Sequence, residues 1–518
     1  MRASGTFDWQ IPERFNFARD VVGRLSGPAL TFVSGDGSTR SYAFEELTAR
    51  AARWANRLRR EGLRRGDRLL VLVGKTPGWH PLMLGALQVG GVSIPCSEML
   101  RRRDLEFRLE HSGARVLVAD RAAEDEAGGL DVATIWTDAA GLDEESDTVE
   151  TEDTAATEPA FILYTSGTTK DPKGVVHTHG YCCAKRMQAE RWLAAEPGDR
   201  VWCTAATGWA KSIWNVLLGP WSCGAEIVLH EGPFAPDERF RLIEELGVTV
   251  LCQAPTEYRL MAKLEGVERY DLSRVRHAVS AGEPLNPEVI KTFRDAFGMT
   301  IRDGYGQTEN TLVVGNFPGM EIRPGSMGLP SPGHDIAVID AEGHEVSAGE
   351  EGDIALRGRP PSLFAEYYRA PEETAAVFRS EWYVTGDRAT RDEDGYLWFT
   401  GRADDVILSA AYRIGPFEVE SALLEHDAVA ESAVVGKPDL DRGQLVKAFV
   451  VLRAGHSGSD ELARELQEHC KRVTAPYKYP REIEFVASLP KTRSGKIRRV
   501  ELRQREKQRT AHQTAPTS

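Results

Sequence analysis

The sequence predicts an α/β protein in which a large domain is followed by a smaller one. Short apolar runs alternate with helix-forming segments over roughly the first four hundred residues, which is typical of βα units with largely parallel sheets. The chain has 518 residues, too many for one ordinary hydrophobic core. The composition changes near residue 400, and about 115 residues are enough for a compact small domain. We therefore predict one domain over residues 1–402 and a second over residues 403–518.

The predicted elements of the large domain follow one another in regular alternation. They are a helix at 45–61, a strand at 69–73, a helix at 81–89, and strands at 116–119 and 225–229, then a helix at 237–246, strands at 248–252 and 275–280, and a helix at 287–297. Residues 123–158 are acidic and poor in apolar side chains, which predicts a loop-rich excursion at the surface.

The small domain is predicted to be of α+β type. Its elements are a helix at 417–425, strands at 429–435 and 446–452, a helix at 459–473 and a strand at 482–486. Turns are predicted at 385–387 and 394–396, before the domain begins. The tail at 491–509 is strongly basic, and a solvated end is the default interpretation of such a run.

The bulk composition excludes several classes of protein. Apolar residues make up 41% and charged residues 27% of the chain, as in soluble globular proteins. A net charge of −14 argues against general binding to nucleic acid. No apolar run approaches the ~18 residues of a membrane span, and the start has no apolar signal region. The seven cysteines are an odd number without metal-binding spacing, which favours reduced thiols in a cytoplasmic protein.

The run TSGTTKDPKG, at residues 165–174, is the strongest local signal. It follows a predicted buried strand at 161–164 and precedes residues 175–195, which are predicted to be a helix. A loop this rich in Gly, Ser and Thr can direct several N–H groups and hydroxyls at one polyphosphate, and Lys173 adds a positive charge. The spacing differs from that of a Walker A loop. A solvated polar loop is the alternative interpretation.

Five further motifs follow in a fixed order over more than three hundred residues. They are SAGEP at 280–284, DGYGQTE at 303–309, YVTGD at 383–387, GRADD at 401–405 and PKTRSGK at 490–496. Together with the first loop, they resemble the adenylate-forming superfamily, which includes acyl-CoA synthetases, luciferases and adenylation domains of peptide synthetases. The resemblance implies a large N-terminal domain of mixed sheets flanked by helices and a small, mobile C-terminal domain.

Three other segments give a narrower resemblance. FNFARD at 15–20, TGWAKS at 207–212 and YRIGPFEVE at 412–420 are similar to the medium-chain acyl-CoA synthetases. That group activates medium-chain, branched or aromatic acids. The resemblance implies ATP, Mg²⁺ and coenzyme A as partners. A carboxylate attacks the α-phosphorus of ATP to give acyl-AMP, and the thiol of coenzyme A then displaces AMP.

The resemblance also implies roles for individual residues. The β- and γ-phosphates would be held by Thr165, Ser166, Gly167, Thr168, Thr169 and Lys173. The adenine would be lined by Gly282, Glu283, Pro284, Asp303, Gly304 and Tyr305.

The remaining nucleotide contacts are charged. Asp387 would accept from the ribose hydroxyls, because an ionised carboxylate only accepts hydrogen bonds. Arg402 would contact the ribose or the phosphates. Glu309 would bind Mg²⁺, a hard cation that prefers oxygen ligands. Thr308, Glu309 and Arg402 would be catalytic residues together with Lys496. Lys496 would bridge the attacking carboxylate and the α-phosphate.

Other implied roles concern the acyl and thiol substrates. Trp209 would form a wall of the acyl pocket, with an ordinary core aromatic as the alternative. Asp404 matches the hinge between the domains. Ala411, Tyr412 and Arg413 would face coenzyme A. His177 and His179 lack an evident partner and are interpreted as packing or surface residues.

The sequence departs from the family pattern at a few positions. Lys170 and Asp171 stand where glycine and a variable residue are common, and Asn310 stands where Thr or Ser often follows the glutamate. Ala411 replaces a usual glycine. Its Cβ resists positive φ and close backbone approach, which predicts a weaker thioester step unless the methyl group is accommodated.

Several alternatives stay open at this point. The protein could catalyse one half-reaction only, or transfer its acyl group to the phosphopantetheine of a carrier protein. A luciferase-like oxygenase and a non-catalytic nucleotide sensor are further options, although a sensor would need neither Glu309 nor Lys496. The acid and the oligomeric state are not predicted. We expect no nucleic-acid or membrane partner.

Overall fold

A computed structural model describes residues 6–165, 172–402, 405–409, 412–439, 443–474, 478–491 and 497–514. Residues 408, 412, 413 and 510–514 are described by their backbone alone.

The strands of the N-terminal part are β1 (Pro28–Val33), β2 (Thr39–Ala43), β3 (Arg68–Leu72), β4 (Val92–Pro95), β5 (Val116–Ala119), β6 (Ala133–Trp136), β7 (Pro159–Thr165), β8 (Lys173–Thr178), β9 (Arg200–Cys203), β10 (Glu226–His230), β11 (Val250–Gln253), β12 (His277–Ala281), β13 (Ile301–Gln307), β14 (Thr311–Gly315) and β15 (Leu329–Pro330). They are followed by β16 (Ile336–Ile339), β17 (Glu351–Arg357), β18 (Glu366–Tyr367), β19 (Phe378–Arg379), β20 (Trp382–Arg391) and β21 (Leu397–Arg402). The last strands are β22 (Ile407–Ser409), β23 (Tyr412–Ile414), β24 (Val429–Asp439), β25 (Gly443–Leu452) and β26 (Glu482–Phe485).

The α-helices are α1 (Phe17–Asp20), α2 (Phe44–Arg60), α3 (Trp79–Gln88), α4 (Arg102–Ser112), α5 (Glu124–Ala127), α6 (His179–Gln188), α7 (Ala210–Ser212), α8 (Gly219–Ser222), α9 (Pro236–Leu246), α10 (Pro255–Ala262), α11 (Pro287–Phe297), α12 (Pro371–Ala376), α13 (Pro416–Leu424), α14 (Asp460–Val473) and α15 (Arg499–Thr514). Two π-helical turns, Ala189–Leu193 and Ile213–Leu218, extend α6 and α7.

The strands form four sheets. The first sheet has the order β18-β8-β7-β4-β3-β5-β6, and the second has the order β15-β14-β13-β12-β11-β9-β10-β1-β2. Their inner strands are parallel, as predicted, whereas β8 and β18 in the first sheet and β2, β14 and β15 in the second pair antiparallel at the edges. The two sheets share a core in which Trp79, Trp192 and Trp221 are fully buried.

The third and fourth sheets complete the mixed α/β fold. The third sheet, β16-β17-β20-β19 with β21 beside β20, is antiparallel and was not predicted. The fourth sheet, β23-β22-β25-β24 with β26 beside β25, forms the small C-terminal domain with its own buried core. Contacts cross to the large domain, where Lys263 Nζ donates to the carbonyl of Ala430 at 2.9 Å. The fold class predicted from the sequence is thus confirmed.

The predicted helix at 175–195 is wrong at its beginning. Residues 173–178 form strand β8, antiparallel to β7, and the helix begins only at His179. Two β-branched residues, Val175 and Val176, are buried in the sheet, which favours a strand. Thr178 then caps the helix, since its side chain accepts from the N–H of Tyr181. The TSGTTKDPKG run therefore connects two strands, and not a strand and a helix.

The turn predicted at 385–387 is also wrong. These residues lie inside strand β20, where Gly386 has a φ of +74°. The pairing with β17 shifts register at this point, so the glycine marks a β-bulge. Similarly, residues 303–307 of the DGYGQTE motif lie in strand β13, and only the end of the motif turns. The turn predicted at 394–396 does separate β20 from β21.

The solvated end predicted at 491–509 is wrong for its last part. Helix α15 packs on the fourth sheet, where Leu502 joins a small apolar cluster. Glu506 is fully buried and lies 3.0 Å from the ammonium of Lys447. Basic residues also attach the helix, since Arg499 makes two hydrogen bonds to the buried carboxylate of Glu420 and Arg503 pairs with Asp405.

No helix within the described ranges combines the length and the apolar character needed to cross a bilayer.

Candidate active site

Glu309 lies in a tight turn between strands β13 and β14. The backbone N–H of Gln307 donates to the side-chain oxygen of Asn310 at 2.9 Å, which closes the turn. Asn310 is fully buried. Its departure from the family pattern therefore has a structural role, because its amide oxygen accepts a hydrogen bond from a backbone N–H of the turn.

Tyr367 holds the carboxylate of Glu309. The phenol donates to Oε1 of Glu309 at 2.9 Å, and the backbone N–H of Phe364 donates to the Glu309 carbonyl at 2.7 Å. Burial raises the pKa of Glu309, against the opposing effects of the Tyr367 hydroxyl and the charge of Arg402. One hydrogen bond leaves most lone pairs of the carboxylate for another ligand.

Asp387 is the second carboxylate of the site and is 5% exposed. The phenol of Tyr305 and the amide nitrogen of Gln307 both donate to its Oδ2 at 2.6 Å. A guanidinium nitrogen of Arg402 lies 3.7 Å from Oδ1. Tyr383 in turn donates to Oε1 of Gln307 at 3.1 Å and fixes the orientation of the amide.

Sequence reasoning missed three residues that order the two carboxylates, namely Gln307, Tyr367 and Tyr383. It did identify two other partners of Asp387, Tyr305 and Arg402. Gln307 could have been found, because residues 305 and 307 point to the same face of a strand and Tyr305 was already a candidate. Tyr383 begins the YVTGD motif, but its contact with Gln307, like that of Tyr367 with Glu309, depends on pairing between distant segments.

The predicted adenine-binding residues lie just after the end of β12 and in the middle of the neighbouring strand β13. Gly282 has a φ of +113°, and no atom lies within 4 Å of where a Cβ would stand, so its backbone borders open space. The side chain of Glu283 pairs with Arg259 at 3.0 Å and also accepts from Thr256. Its backbone, rather than its carboxylate, is thus the part left to line a ligand.

Asp303 is a buried carboxylate in the same region. It accepts from the backbone N–H groups of Gly304 at 3.0 Å and Leu285 at 3.3 Å. Burial raises its pKa to about 7, despite these two bonds. A carboxyl group that is half protonated near neutral pH is therefore present beside the predicted nucleotide site.

The predicted phosphate-binding loop is anchored by Thr165 and Lys173, which face each other where β7 and β8 meet. The ammonium of Lys173 lies 2.6 Å from Glu373 on α12 and 4.9 Å from the ring centre of Tyr367. Because the hydroxyl of Tyr367 also bonds Glu309, the lysine and the glutamate contact the same tyrosine.

Trp209 precedes helix α7 and is partly exposed. It belongs to none of the apolar clusters of the described residues, which favours a pocket wall over a core aromatic. The loop is fixed on both sides. A Cβ on Gly208 would stand 2.1 Å from the backbone of Ser97, and Lys211 donates to the carbonyls of Gln253 and Ala281 at 3.1 Å each.

The remaining predicted residues are buried histidines, residues whose backbone alone is described, a turn residue, and residues outside the described ranges. His177 and His179 are both fully buried, and His177 stacks on Tyr181 at 3.9 Å, in agreement with a packing role. The backbones of Tyr412 and Arg413 form strand β23. Thr308 lies in the turn before Glu309. The predicted residues outside the described ranges are Ser166, Gly167, Thr168, Thr169, Lys170, Asp171, Asp404, Ala411 and Lys496.

The described residues fit a bound magnesium–nucleotide. Glu309 offers carboxylate oxygens at a partly open position, and hard divalent cations prefer oxygen ligands. Asp387 is ordered by two donors and so presents a fixed acceptor to a diol. The backbone at Gly282 leaves space in which a flat ring could lie.

Comparison with known proteins agrees with this geometry. The family model for AMP-binding enzymes matches residues 17–368, and the model for the AMP-binding enzyme C-terminal domain matches residues 418–496. The chain is 45% identical over 502 residues to the uncharacterized acyl-CoA ligase YtcI of Bacillus subtilis (strain 168), across 94% of each chain. It is 42% identical over 534 residues to the mitochondrial acyl-coenzyme A synthetase ACSM3 of Mus musculus, across 96% of this chain and 92% of that one.

A solved structure shows the same architecture. The anthranilate CoA ligase AuaEII, in complex with anthranoyl-AMP, matches with a TM-score of 0.90 and 31% identity, across 98% of this chain and 100% of that one. The chain therefore belongs to the family of AMP-binding enzymes and, within it, to the acyl-CoA synthetases.

Proposed function

We propose that this acyl-CoA synthetase activates a medium-chain, branched or aromatic carboxylic acid. ATP and the acid would give acyl-AMP and pyrophosphate, and coenzyme A would then give the acyl-CoA and AMP. The observation that carries the proposal is the pair of carboxylates, Glu309 and Asp387, each ordered by a tyrosine hydroxyl at 2.9 Å and 2.6 Å and both near Arg402.

The charges of these groups suit the first half-reaction. A carboxylate is a poor nucleophile towards an anionic triphosphate, so the site must neutralise charge and fix an in-line approach. Lys173, beside Tyr367, and Arg402, beside Asp387, would supply positive charge. Glu309 would hold a magnesium ion, whose charge would offset that of the phosphates when bound. Asp387 would accept from the ribose hydroxyls.

The acid would lie against Trp209, on a loop that is fixed on both sides. A rigid aromatic wall selects acids by shape and by the apolar area that it covers. An aromatic acid is favoured by the likeness to the anthranilate CoA ligase AuaEII. A medium-chain acid is favoured by the family segments at 15–20, 207–212 and 412–420.

The small domain would supply the remaining groups. We propose that it begins at residue 403, that Lys496 serves adenylation, and that Tyr412 and Arg413 serve the thioester step after rotation about Asp404. Movement of a domain about a few hinge residues is an ordinary way to present two faces in turn. We also propose the cytoplasm as the compartment, since all seven cysteines are free thiols.

The direct test is a panel of medium-chain, branched and aromatic acids, each assayed for ATP–pyrophosphate exchange and for CoA-thioester formation. Both activities should appear with at least one acid. Lys496→Ala should abolish exchange but retain thioester formation from supplied acyl-AMP. Exchange without thioester, or thioester only on a carrier-protein phosphopantetheine, would favour the single-step or carrier-linked alternative. Absence of exchange with every acid would contradict the proposal.

A further inference from the structure

Lys185, on helix α6, occupies an unusual environment for a lysine. It is 1% exposed, and no carboxylate lies within ion-pairing distance of it in the described parts of the chain. Its ammonium lies 4.6 Å from the ring centre of Tyr181 and 4.3 Å from that of Trp214. Burying an amine without a counter-ion is unfavourable. A buried lysine of this kind is therefore expected to have a specific structural or functional role.

The amine is used as a hydrogen-bond donor. Lys185 Nζ donates to the hydroxyl oxygen of Thr311 and to Oε1 of Gln188, the latter at 3.2 Å. The Thr311 hydroxyl donates in turn to the same Gln188 oxygen. Lysine, threonine and glutamine thus form a closed triangle of hydrogen bonds in a buried space, which we call the Lys185 triangle.

Thr311 is the strained member of the triangle. Its φ is +63°, a left-handed conformation that a β-branched residue rarely adopts. The backbones of Gly306 and Thr311 are also in very close contact, because a Cβ on Gly306 would stand 1.5 Å from the Thr311 carbonyl oxygen. Such a conformation persists only where surrounding contacts impose it, and the triangle supplies contacts from a helix outside the hairpin.

The triangle lies next to the predicted metal ligand in the chain. Thr311 follows Glu309 by two residues, and the turn between β13 and β14 has little freedom once both ends are fixed. The N–H of Gln307 fixes one end through Asn310. Thr311, held from α6, fixes the other.

The network extends further into the large domain. The amide nitrogen of Gln188 donates to Oδ1 of Asn215 at 2.7 Å, and that of Asn215 lies 3.6 Å from the thiol of Cys252. Asn215 lies in the π-helical turn that follows the Trp209 loop. The Glu309 turn is thereby tied to the segment that carries the proposed acyl pocket.

We propose that Lys185 and Gln188 are positioning residues for adenylation: they hold Thr311 in its left-handed conformation and thereby orient the Glu309 carboxylate towards the metal. This inference rests on the proposed function of Glu309. The amine touches no substrate and acts only through Thr311.

The inference separates metal-dependent steps from metal-independent ones. Lys185→Met keeps the length of the side chain and removes the donor, and Thr311→Val keeps the shape and removes the hydroxyl. Both should raise the magnesium concentration for half-maximal pyrophosphate exchange at least tenfold. Both should leave thioester formation from supplied acyl-AMP within twofold of the parent. Thr311→Ser, which keeps the hydroxyl and removes only the methyl group, should retain most of the magnesium affinity.

A binding readout makes the test independent of turnover. Calorimetric titration of magnesium into protein with a saturating non-hydrolysable ATP analogue should show the same tenfold weakening in Lys185→Met and Thr311→Val. The double variant should be no worse than either single one, because both remove the same triangle.

Two results would overturn the inference. One is unchanged magnesium affinity with only a lower melting temperature, which would make the triangle purely structural. The other is an equal loss in both half-reactions. If instead the parent protein shows no exchange with any acid yet the calorimetric difference is found, the proposed function fails while the positioning role stands. If Lys185→Met does not fold, Thr311→Val decides the question alone.

Discussion

The phenolic oxygen of Tyr305 lies 2.6 Å from Oδ2 of Asp387, across two strands of different sheets. Tyr305 belongs to β13 of the second sheet, and Asp387 lies beside the bulge at Gly386 in β20 of the third. The bulge offsets the pairing with β17, and the buried carboxylate accepts from the tyrosine of the other sheet. The two sheets are thus joined at the point where we propose that the ribose binds.

Tyr305→Phe should weaken ATP binding. The variant removes a donor that orders Asp387, and a hydrogen bond to a charged group contributes about 1.5–3 kcal/mol. We expect the KM for ATP in pyrophosphate exchange to rise about tenfold. Tyr270→Phe is the matched control, because that phenol also donates to a carboxylate, Asp237, but at an exposed position. Equal effects of the two variants would contradict a ribose-binding role for Asp387.

Glu373→Gln should tighten ATP binding modestly. Glu373 pairs with Lys173 at 2.6 Å, and we propose that this lysine must release it to contact phosphate. The pair is half exposed, and such pairs contribute about 0–1 kcal/mol, so the KM for ATP should fall by no more than about fivefold. The neighbouring Glu372→Gln removes the same charge outside this ion pair and should leave the KM unchanged. A rise in KM for Glu373→Gln would show that the pair supports the loop.

Asp303→Asn should change how stability depends on pH. Burial raises the pKa of Asp303 from 3.8 to about 7, so the folded state holds a proton that the unfolded state has released between these values. The stability contributed by the protonated carboxyl group is present below about pH 4 and is lost as the pH rises towards 7. The full difference in the free energy of unfolding is about 4 kcal/mol.

Asparagine at position 303 cannot ionise, so Asp303→Asn should not lose stability from this site between pH 4 and pH 7. The free energy of unfolding of the parent minus that of Asp303→Asn should fall between pH 4 and pH 7 and stay level above it. Urea titrations at several pH values provide the measurement. A difference that does not vary with pH would mean that the buried carboxyl group has an ordinary pKa.

Trp209→Ala should change the choice of acid and spare the nucleotide. A bulky ring contributes shape and buried apolar area, and no phosphate contact. The relative kcat/KM values across the acid panel should therefore shift at least tenfold, while the KM for ATP stays within twofold. A uniform loss across all acids, together with a lower melting temperature, would instead indicate a packing role.

Local patterns in the sequence predicted the elements that local interactions determine. The helix Pro287–Phe297 and the strand Val116–Ala119 were predicted with their observed bounds. Strand β8 was missed because its residues run into α6 without a turn signal; only the cap at Thr178 marks the change. The third sheet was missed because its bulge at Gly386 resembles a turn until the distant partner β17 is known.

The candidate site likewise contains residues that the sequence predicts and residues that only the folded structure shows. Glu309 and Asp387 stand in motifs that can be recognised from the sequence alone. Tyr367 orders Glu309 directly, and Tyr383 orders Asp387 through Gln307. Both contacts form only in the folded chain, where tertiary pairing decides them. The strain at Thr311 is likewise visible only in the backbone.

We propose above all that the protein activates its acid through an acyl-adenylate. The most direct measurement uses the best acid of the panel with both carboxylate oxygens labelled with oxygen-18, together with ATP, magnesium and coenzyme A. One carboxylate oxygen bonds to the α-phosphorus in the first step and leaves with AMP when the thiol attacks the acyl carbon. Mass spectrometry should therefore find one labelled oxygen in each AMP. Unlabelled AMP, or label in phosphate with ADP as the product, would contradict the account.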